Sequence, residues 1–125
     1  MIAGIGIDIT EVERIANSIG KEKGFREVIF SKNEIAYCEA KTNKFEHYAA
    51  RFAAKEAFFK ALGTGWMAGT AFNEIEITNE ENGKPVINLL AATASTVKEK
   101  MGDIIVTVSL THIKTFASAV VTIEK

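Results

Sequence analysis

Three observations predict an α+β fold with a largely antiparallel sheet. Apolar residues alternate in short runs near both ends of the chain. Between them lies one long Ala-rich segment without internal Gly or Pro, and the turn Asn82-Gly83-Lys84-Pro85 separates two further alternating runs. Strands joined by short turns beside a long helix make a sheet covered by that helix. No repeat, low-complexity tract or Pro/Ser-rich linker divides residues 1–125, which predicts one domain. A chain of 125 residues, 47% of them hydrophobic, has the scale to bury roughly two-thirds of its unfolded surface.

The first strand is the run Ile5-Gly6-Ile7-Asp8-Ile9. Its isoleucines share one face; Gly4, Gly6 and Asp8 fall on the other, because successive strand side chains point to opposite sides. Thr10-Glu11-Val12-Glu13 has the form of a capping box and predicts a helix with Val12, Ile15, Ala16 and Ile19 on one face, ending at Gly20. Ser31-Lys32-Asn33-Glu34 repeats the capping pattern ahead of Ile35 and Cys38. The Ala-rich helix follows from His47 to Gly63, and its glycine suits a left-handed C-terminal stop. Phe72–Thr78 and Val86–Leu90 read as a hairpin around the Asn-Gly turn, Ala91–Met101 as a helix, and Ile104–Thr111 and Phe116–Ile123 as two closing strands.

Charge and composition narrow the function. A net charge of −1 predicts no polyanion or nucleic-acid partner, although Arg14, Lys21, Lys23 and Arg26 form a local basic cluster suited to an acidic partner. One cysteine excludes an intrachain disulfide and suits a reducing compartment; Cys38 reads as a small core thiol. Glycines and Asp8 interrupt the amino terminus where a signal peptide needs its apolar stretch, and no run is long and apolar enough to cross a bilayer, so a cytoplasmic location is expected.

The chemistry centres on two acids. Asp8 projects beside two positions without side chains, a pattern that marks close approach by a ligand or another chain and leaves the acid few side chains to bond with. Glu56 stands in a helix that is apolar on most sides, with Arg51 and Lys55 on one side and Glu56 and Lys60 on another. Glu56 and Lys60, at i and i+4, would form a helix ion pair contributing about 0.2–0.5 kcal/mol if exposed. In Ala-rich, tightly packed surroundings such charges need partners or a ligand. Other motifs fail. Gly4-Ile5-Gly6 lacks the third glycine of a dinucleotide fingerprint, and Gly63-Thr64-Gly65-Trp66 lacks the Lys-Ser/Thr end of a P-loop. Ser109 and His112 fall on opposite strand faces, which excludes a Ser-His pair. Two carboxylates with Lys60, Arg51 and a hydroxyl/His strand end instead suit a phosphate ester held with a hard cation such as Mg²⁺.

An ordered set of residues then resembles a known family. Gly6-Ile7-Asp8-Ile9, Arg14, Phe30, Glu34, Tyr37-Cys38, Arg51-Phe52-Ala53-Ala54-Lys55-Glu56 with Lys60, Ala61-Leu62-Gly63-Thr64-Gly65, Gly83-Lys84-Pro85 and Ser109-Leu110-Thr111-His112 are similar to the short phosphopantetheinyl transferases, the bacterial holo-[acyl-carrier-protein] synthase family. Thr111 departs from the family pattern, where a second serine is expected. The resemblance implies the 4′-phosphopantetheinyl transferase fold and transfer of the phosphopantetheine arm of coenzyme A to a serine of apo acyl carrier protein, releasing adenosine 3′,5′-bisphosphate for fatty acid biosynthesis. It implies Asp8 and Glu56 as Mg²⁺ ligands and catalytic residues, with Lys60 balancing charge at the pyrophosphate or leaving group. A metal-bound water or Glu56 itself would take the serine proton. Arg51 and His112 would hold the nucleotide 3′-phosphate, with Gly63, Gly65 and Ser109 lining the coenzyme A pocket. Arg14 would meet the acidic carrier, and the protein would form a homotrimer with sites between protomers. The competing expectation is a non-catalytic module that binds coenzyme A, a nucleotide or the carrier.

Overall fold

A computed structural model describes residues Met1–Lys125. Its elements run β1 (Ile2–Glu11), α1 (Val12–Lys21), α2 (Phe25–Ile29), α3 (Lys32–Glu39), α4 (Lys44–Leu62), a 3₁₀ turn (Phe72–Glu74), β2 (Ile75–Asn79), β3 (Pro85–Leu89), α5 (Ala91–Met101), β4 (Ile105–His112) and β5 (Phe116–Glu124). Strands β1, β5 and β4 form one antiparallel sheet in that order, and β2 and β3 form the expected hairpin. The α+β expectation holds.

α4 lies across one face of the three-stranded sheet. Ala117, Ala119, Val121 and Ile123 of β5 and Val108 of β4 turn towards it and are buried. Its C-terminal half joins a core with Ile75, Ile77 and Val97; its N-terminal half packs with Val12, Ile15, Phe30 and Cys38 in a second. A helix buried on most sides must approach its sheet closely, and the glycines of β1 permit it. A Cβ added at Gly4 would fall on the Ala61 carbonyl oxygen, and one at Gly6 on the Ala57 carbonyl oxygen. The close approach expected of a ligand or another chain is therefore made by the protein's own helix.

Charge inside this packing is satisfied locally. Lys55 and Glu34 are both fully buried, with Nζ donating to Glu34 Oε1 at 2.8 Å and to the carbonyls of Phe72 and Ile75. Glu34 closes a true capping box with Ser31, and its Oε2 accepts from the Ile77 amide. Burial pulls Lys55 below the ordinary lysine range, and Glu34 opposes that shift. Cys38 is the buried core thiol expected; burial pushes it up to about 12, so it holds no thiolate.

Several boundaries differ from the expectations. Thr10 caps nothing. β1 continues to Glu11, which stands at the start of α1 without a side-chain cap, and Thr10 is buried on the face it shares with Asp8. α4 begins at Lys44, a turn before His47, and residues 72–74 coil into the 3₁₀ turn before β2 starts. The short α2 has no buried residue and lacks the apolar periodicity that would have announced it.

Candidate active site

The site grows from the junction of β1 with the last turns of α4. Asp8 follows Gly6 on the face turned to the helix, at the level where Glu56 and Lys60 project. Lys60 Nζ donates to the Ile7 carbonyl at 2.9 Å and to Asp8 Oδ1 at 3.2 Å, while Thr10 Oγ1 donates to Asp8 Oδ2 at 2.9 Å. Ser118 on the neighbouring strand donates from Oγ to the Asp8 carbonyl at 2.9 Å. Asp8 is thus held by two side chains rather than left without partners. The i, i+4 pair of Glu56 with Lys60 does not form, because the lysine reaches across to β1 instead.

Glu56 makes no hydrogen bond or ion pair of its own. Burial raises its carboxyl above the ordinary range, the Asp8 charge raises it further, and Lys60 and Arg14 pull it back. Arg14 of α1 lies with its guanidinium 5.9 Å over the Phe52 ring, so it joins this charged group from the α1 side. Ile7, Asp8, Ile9, Lys60 and Ser118 line an open pocket of about 420 Å³.

The residue set fits Mg²⁺. Both carboxylates are hard oxygen donors, Glu56 has no partner, and its charge is opposed by Asp8; a cation between them relieves that repulsion. No three His, Cys, Asp or Glu side chains cluster, so the protein does not build a complete cage. Mg²⁺ does not ask for one, since it keeps waters and takes phosphate oxygens beside one or two carboxylates.

The remaining candidates lie elsewhere. Arg51 and His112 line a cleft of about 220 Å³ with Tyr37, His47, Asn79, Gly83 and Leu110. Arg51 is 2% exposed. One terminal nitrogen donates to Asn79 Oδ1 at 2.7 Å, the guanidinium lies 4.2 Å over the Tyr37 ring, and Nε has no partner. His112 Nδ1 stands 2.8 Å from Glu46, which as a carboxylate accepts the ring proton and fixes the imidazole. Ser109 sits on the outer face of β4, in a shallow pocket with Ile7, Thr111 and Ser118. That pocket shares Ile7 and Ser118 with the Asp8 pocket, and it shares only Leu110 with the Arg51 cleft, which lies on the other side of β4. Gly63 and Gly65 turn the chain after α4 in left-handed conformations and line none of the three. Thr10, Ser118 and Glu46 are supporting residues that sequence reasoning missed. Only Thr10 carried a usable signal, being two residues from Asp8 on one strand.

A family model, the 4′-phosphopantetheinyl transferase superfamily, matches residues 4–109. The chain belongs to this family. It is 46% identical over 125 residues to the holo-[acyl-carrier-protein] synthase of Solibacter usitatus, covering 99% of each chain. The holo-[acyl-carrier-protein] synthase of Neisseria meningitidis superposes with a TM-score of 0.89 at 32% identity, covering 100% of both chains. That of Bacillus anthracis, solved in complex with CoA (3′,5′-ADP), superposes with a TM-score of 0.81 at 38% identity, covering 100% of this chain and 98% of that one. In this chain Lys60 reaches Asp8 beside Gly6, where β1 and α4 approach too closely for a Cβ.

Proposed function

We propose that this protein transfers the 4′-phosphopantetheine arm of coenzyme A to a serine of apo acyl carrier protein, releasing adenosine 3′,5′-bisphosphate. The observation that carries the reading is the pair of neighbouring carboxylates on β1 and α4, Asp8 bonded to Lys60 and Glu56 left without a partner, in a chain that belongs to this transferase family. A module that merely binds coenzyme A has no need of Glu56, an acid kept half-buried without a partner beside a second acid.

The serine oxygen attacks the phosphorus that bears the pantetheine arm, a P–O bond to that serine forms, and the bond to the adenosine 5′-phosphate breaks. Mg²⁺, when held by Asp8 and Glu56, supplies Lewis-acid polarisation of the pyrophosphate and neutralises its charge. Glu56, or a water held beside it, takes the serine proton. Lys60, fixed by the Ile7 carbonyl, keeps Asp8 in place and balances charge as the leaving phosphate departs. Thr10 and Ser118 hold the Asp8 side chain and backbone, which orients the carboxylate before substrate arrives. Arg51 and His112 hold the 3′-phosphate of the nucleotide; the unpartnered Nε of a buried guanidinium supports that role. Arg14, on the α1 side of the site, meets the acidic carrier, which brings the target serine to Glu56. Ser109 lines the pocket that adjoins the Asp8 pocket on the outer face of the sheet, which supports a place for it beside the arm; Gly63 and Gly65 line neither.

The homotrimer belongs to the same reading. Ile5, Ile7 and Ile9 are each about two-thirds exposed on the open face of the sheet, and Ile105 on the far strand β4 is equally exposed. An apolar strip of that kind on a monomer supports burial against a second copy. The Asp8 pocket and the Arg51 cleft share no residue, which supports a site completed by a neighbour. Mixing Asp8→Ala and His112→Ala chains tests it: activity recovered in the mixed oligomer is expected, and none would refute shared sites.

The decisive experiment is intact-mass measurement of apo acyl carrier protein incubated with coenzyme A, Mg²⁺ and this protein. A mass gain of one phosphopantetheine arm is expected, lost on chelation and with Asp8→Ala. An unmodified carrier with coenzyme A still bound would favour the binding module instead.

A further inference from the structure

The Arg51 cleft contains a second imidazole that the transfer reaction has not used. His47 precedes Arg51 by one turn of α4, so the two share a helix face, and both line the cleft. Its ring packs edge-on against His112 with centroids 4.9 Å apart, and against Tyr37 of α3 at 5.6 Å. The charged groups that bear on His47 are His112 of β4, Arg51 and Glu46 of α4, and Lys41 of the preceding loop. Glu46 is the only acid among them, and its carboxylate already accepts from His112. Across the cleft stand Asn79, Gly83 and Pro85, all uncharged. The cleft therefore gathers a guanidinium, two imidazoles and a nearby ammonium without a free carboxylate, and the buried guanidinium keeps one N–H unpartnered. Packing two imidazoles and an arginine together is unfavourable for each additional proton, and an anion in the cleft removes that objection.

We infer that His47 is a third anion-binding group of this cleft, which takes up a proton as a phosphate monoester enters and so makes the affinity for coenzyme A pH-dependent. The inference rests on the assignment of the 3′-phosphate to the Arg51 cleft. In the free protein, burial lowers His47 below the usual histidine range, and His112, Arg51 and Lys41 lower it further. A dianionic phosphate acts in the opposite sense. The bound-state value lies above the free one, so the added affinity is present at low pH and is lost as pH rises through the bound-state value. A ligand without the 3′-phosphate gains nothing from His47.

Calorimetric titration in buffers of different ionisation enthalpy counts the protons. Wild-type protein is expected to take up protons with coenzyme A but not with 3′-dephospho-coenzyme A. His47→Gln should abolish the uptake and weaken coenzyme A binding about tenfold, the scale of one charge-assisted hydrogen bond, while 3′-dephospho-coenzyme A is held as before. Ring-proton titration of His47 in the wild-type protein, with and without adenosine 3′,5′-bisphosphate, needs no variant, and an upward shift with ligand is expected. Coenzyme A binding with an unmoved His47 titration would overturn the role of His47 alone. Failure of the wild type to distinguish coenzyme A from its 3′-dephospho form would overturn the cleft assignment as well.

Discussion

Lys55→Met separates the two lysines that stand on α4 within five residues of each other. Lys55 Nζ has no solvent exposure and donates to Glu34 and to the carbonyls of Phe72 and Ile75. Removing it leaves the Glu34 carboxylate with only the amides of Ser31 and Ile77, both at 2.9 Å, and no counter-charge. Breaking one side of a buried pair costs about 3–5 kcal/mol. At about 2.1 cal/mol/K per residue, unfolding entropy converts each kcal/mol into roughly 4 °C for a chain of this length. The melting temperature should therefore fall by about 12–20 °C, as read by calorimetry with denaturant titration in parallel. Glu34→Gln in the same background should recover part of the loss, with a coupling of about 0.5–3 kcal/mol. Transfer activity per folded molecule, measured well below either melting point, should stay near the wild-type value. A melting temperature that moves by less than about 3 °C, additive substitutions, or a turnover that falls as far as in Lys60→Ala would refute a purely structural buried pair.

Gly6→Ala places a Cβ on the Ala57 carbonyl oxygen, 2.7 Å from the Ala61 nitrogen and 2.9 Å from Lys60 Cβ. Overpacking against backbone should cost about 3 kcal/mol and lower melting temperature and activity together; an unchanged melt would contradict the close contact of β1 with α4. Glu56 has a folded-state value above its free one, so its stabilising contribution is present below the ordinary carboxylate range and lost as pH rises through the folded value. Glu56→Gln should abolish transfer, yet raise the melting temperature near neutral pH by about 2 °C, a figure reduced for partial exposure; a lower melting temperature would refute the unfavourable charge. Arg14→Glu should weaken carrier binding, most at low ionic strength where surface fields are least screened, with coenzyme A affinity retained; equal carrier affinity at low salt would remove Arg14 from the docking surface.

The strands, the hairpin and the long helix were legible because each carries its own period over enough residues to be unambiguous. Phe72–Glu74 was not, since a single 3₁₀ turn borrows the same alternating residues as the strand it precedes. Asp8, Glu56 and Lys60 were legible as a charged set, but their partners were not. Strand pairing and helix packing, which no local window contains, decide that Lys60 bonds Asp8 and that Ser118 supports it. Thr10 was misassigned for a related reason: a threonine two residues past Asp8 and three before Glu13 fits both a strand-face partner and a cap, and the burial of β1 selects the first. Arg51 and His112 line one cleft, while Ser109, on the opposite face of β4, meets it only through Leu110.

The middle strand of the three-stranded sheet, β5, is also the last of the five to be made. β5 pairs with β1 from Ile2↔Glu124 to Glu11↔Phe116 and with β4 along its other edge. During synthesis β1 emerges first and waits for more than a hundred residues before its only partner exists, a separation that slows closure. A chain released before Phe116 would leave β1 and β4 with unpaired edges, the exposed isoleucines adjoining one of them. It would also lack Ser118, and with it the hydrogen bond to the Asp8 backbone. Closure of the sheet and support of the Asp8 strand thereby depend on the same segment, and a copy lacking it is a hazard to its neighbours rather than a weak enzyme.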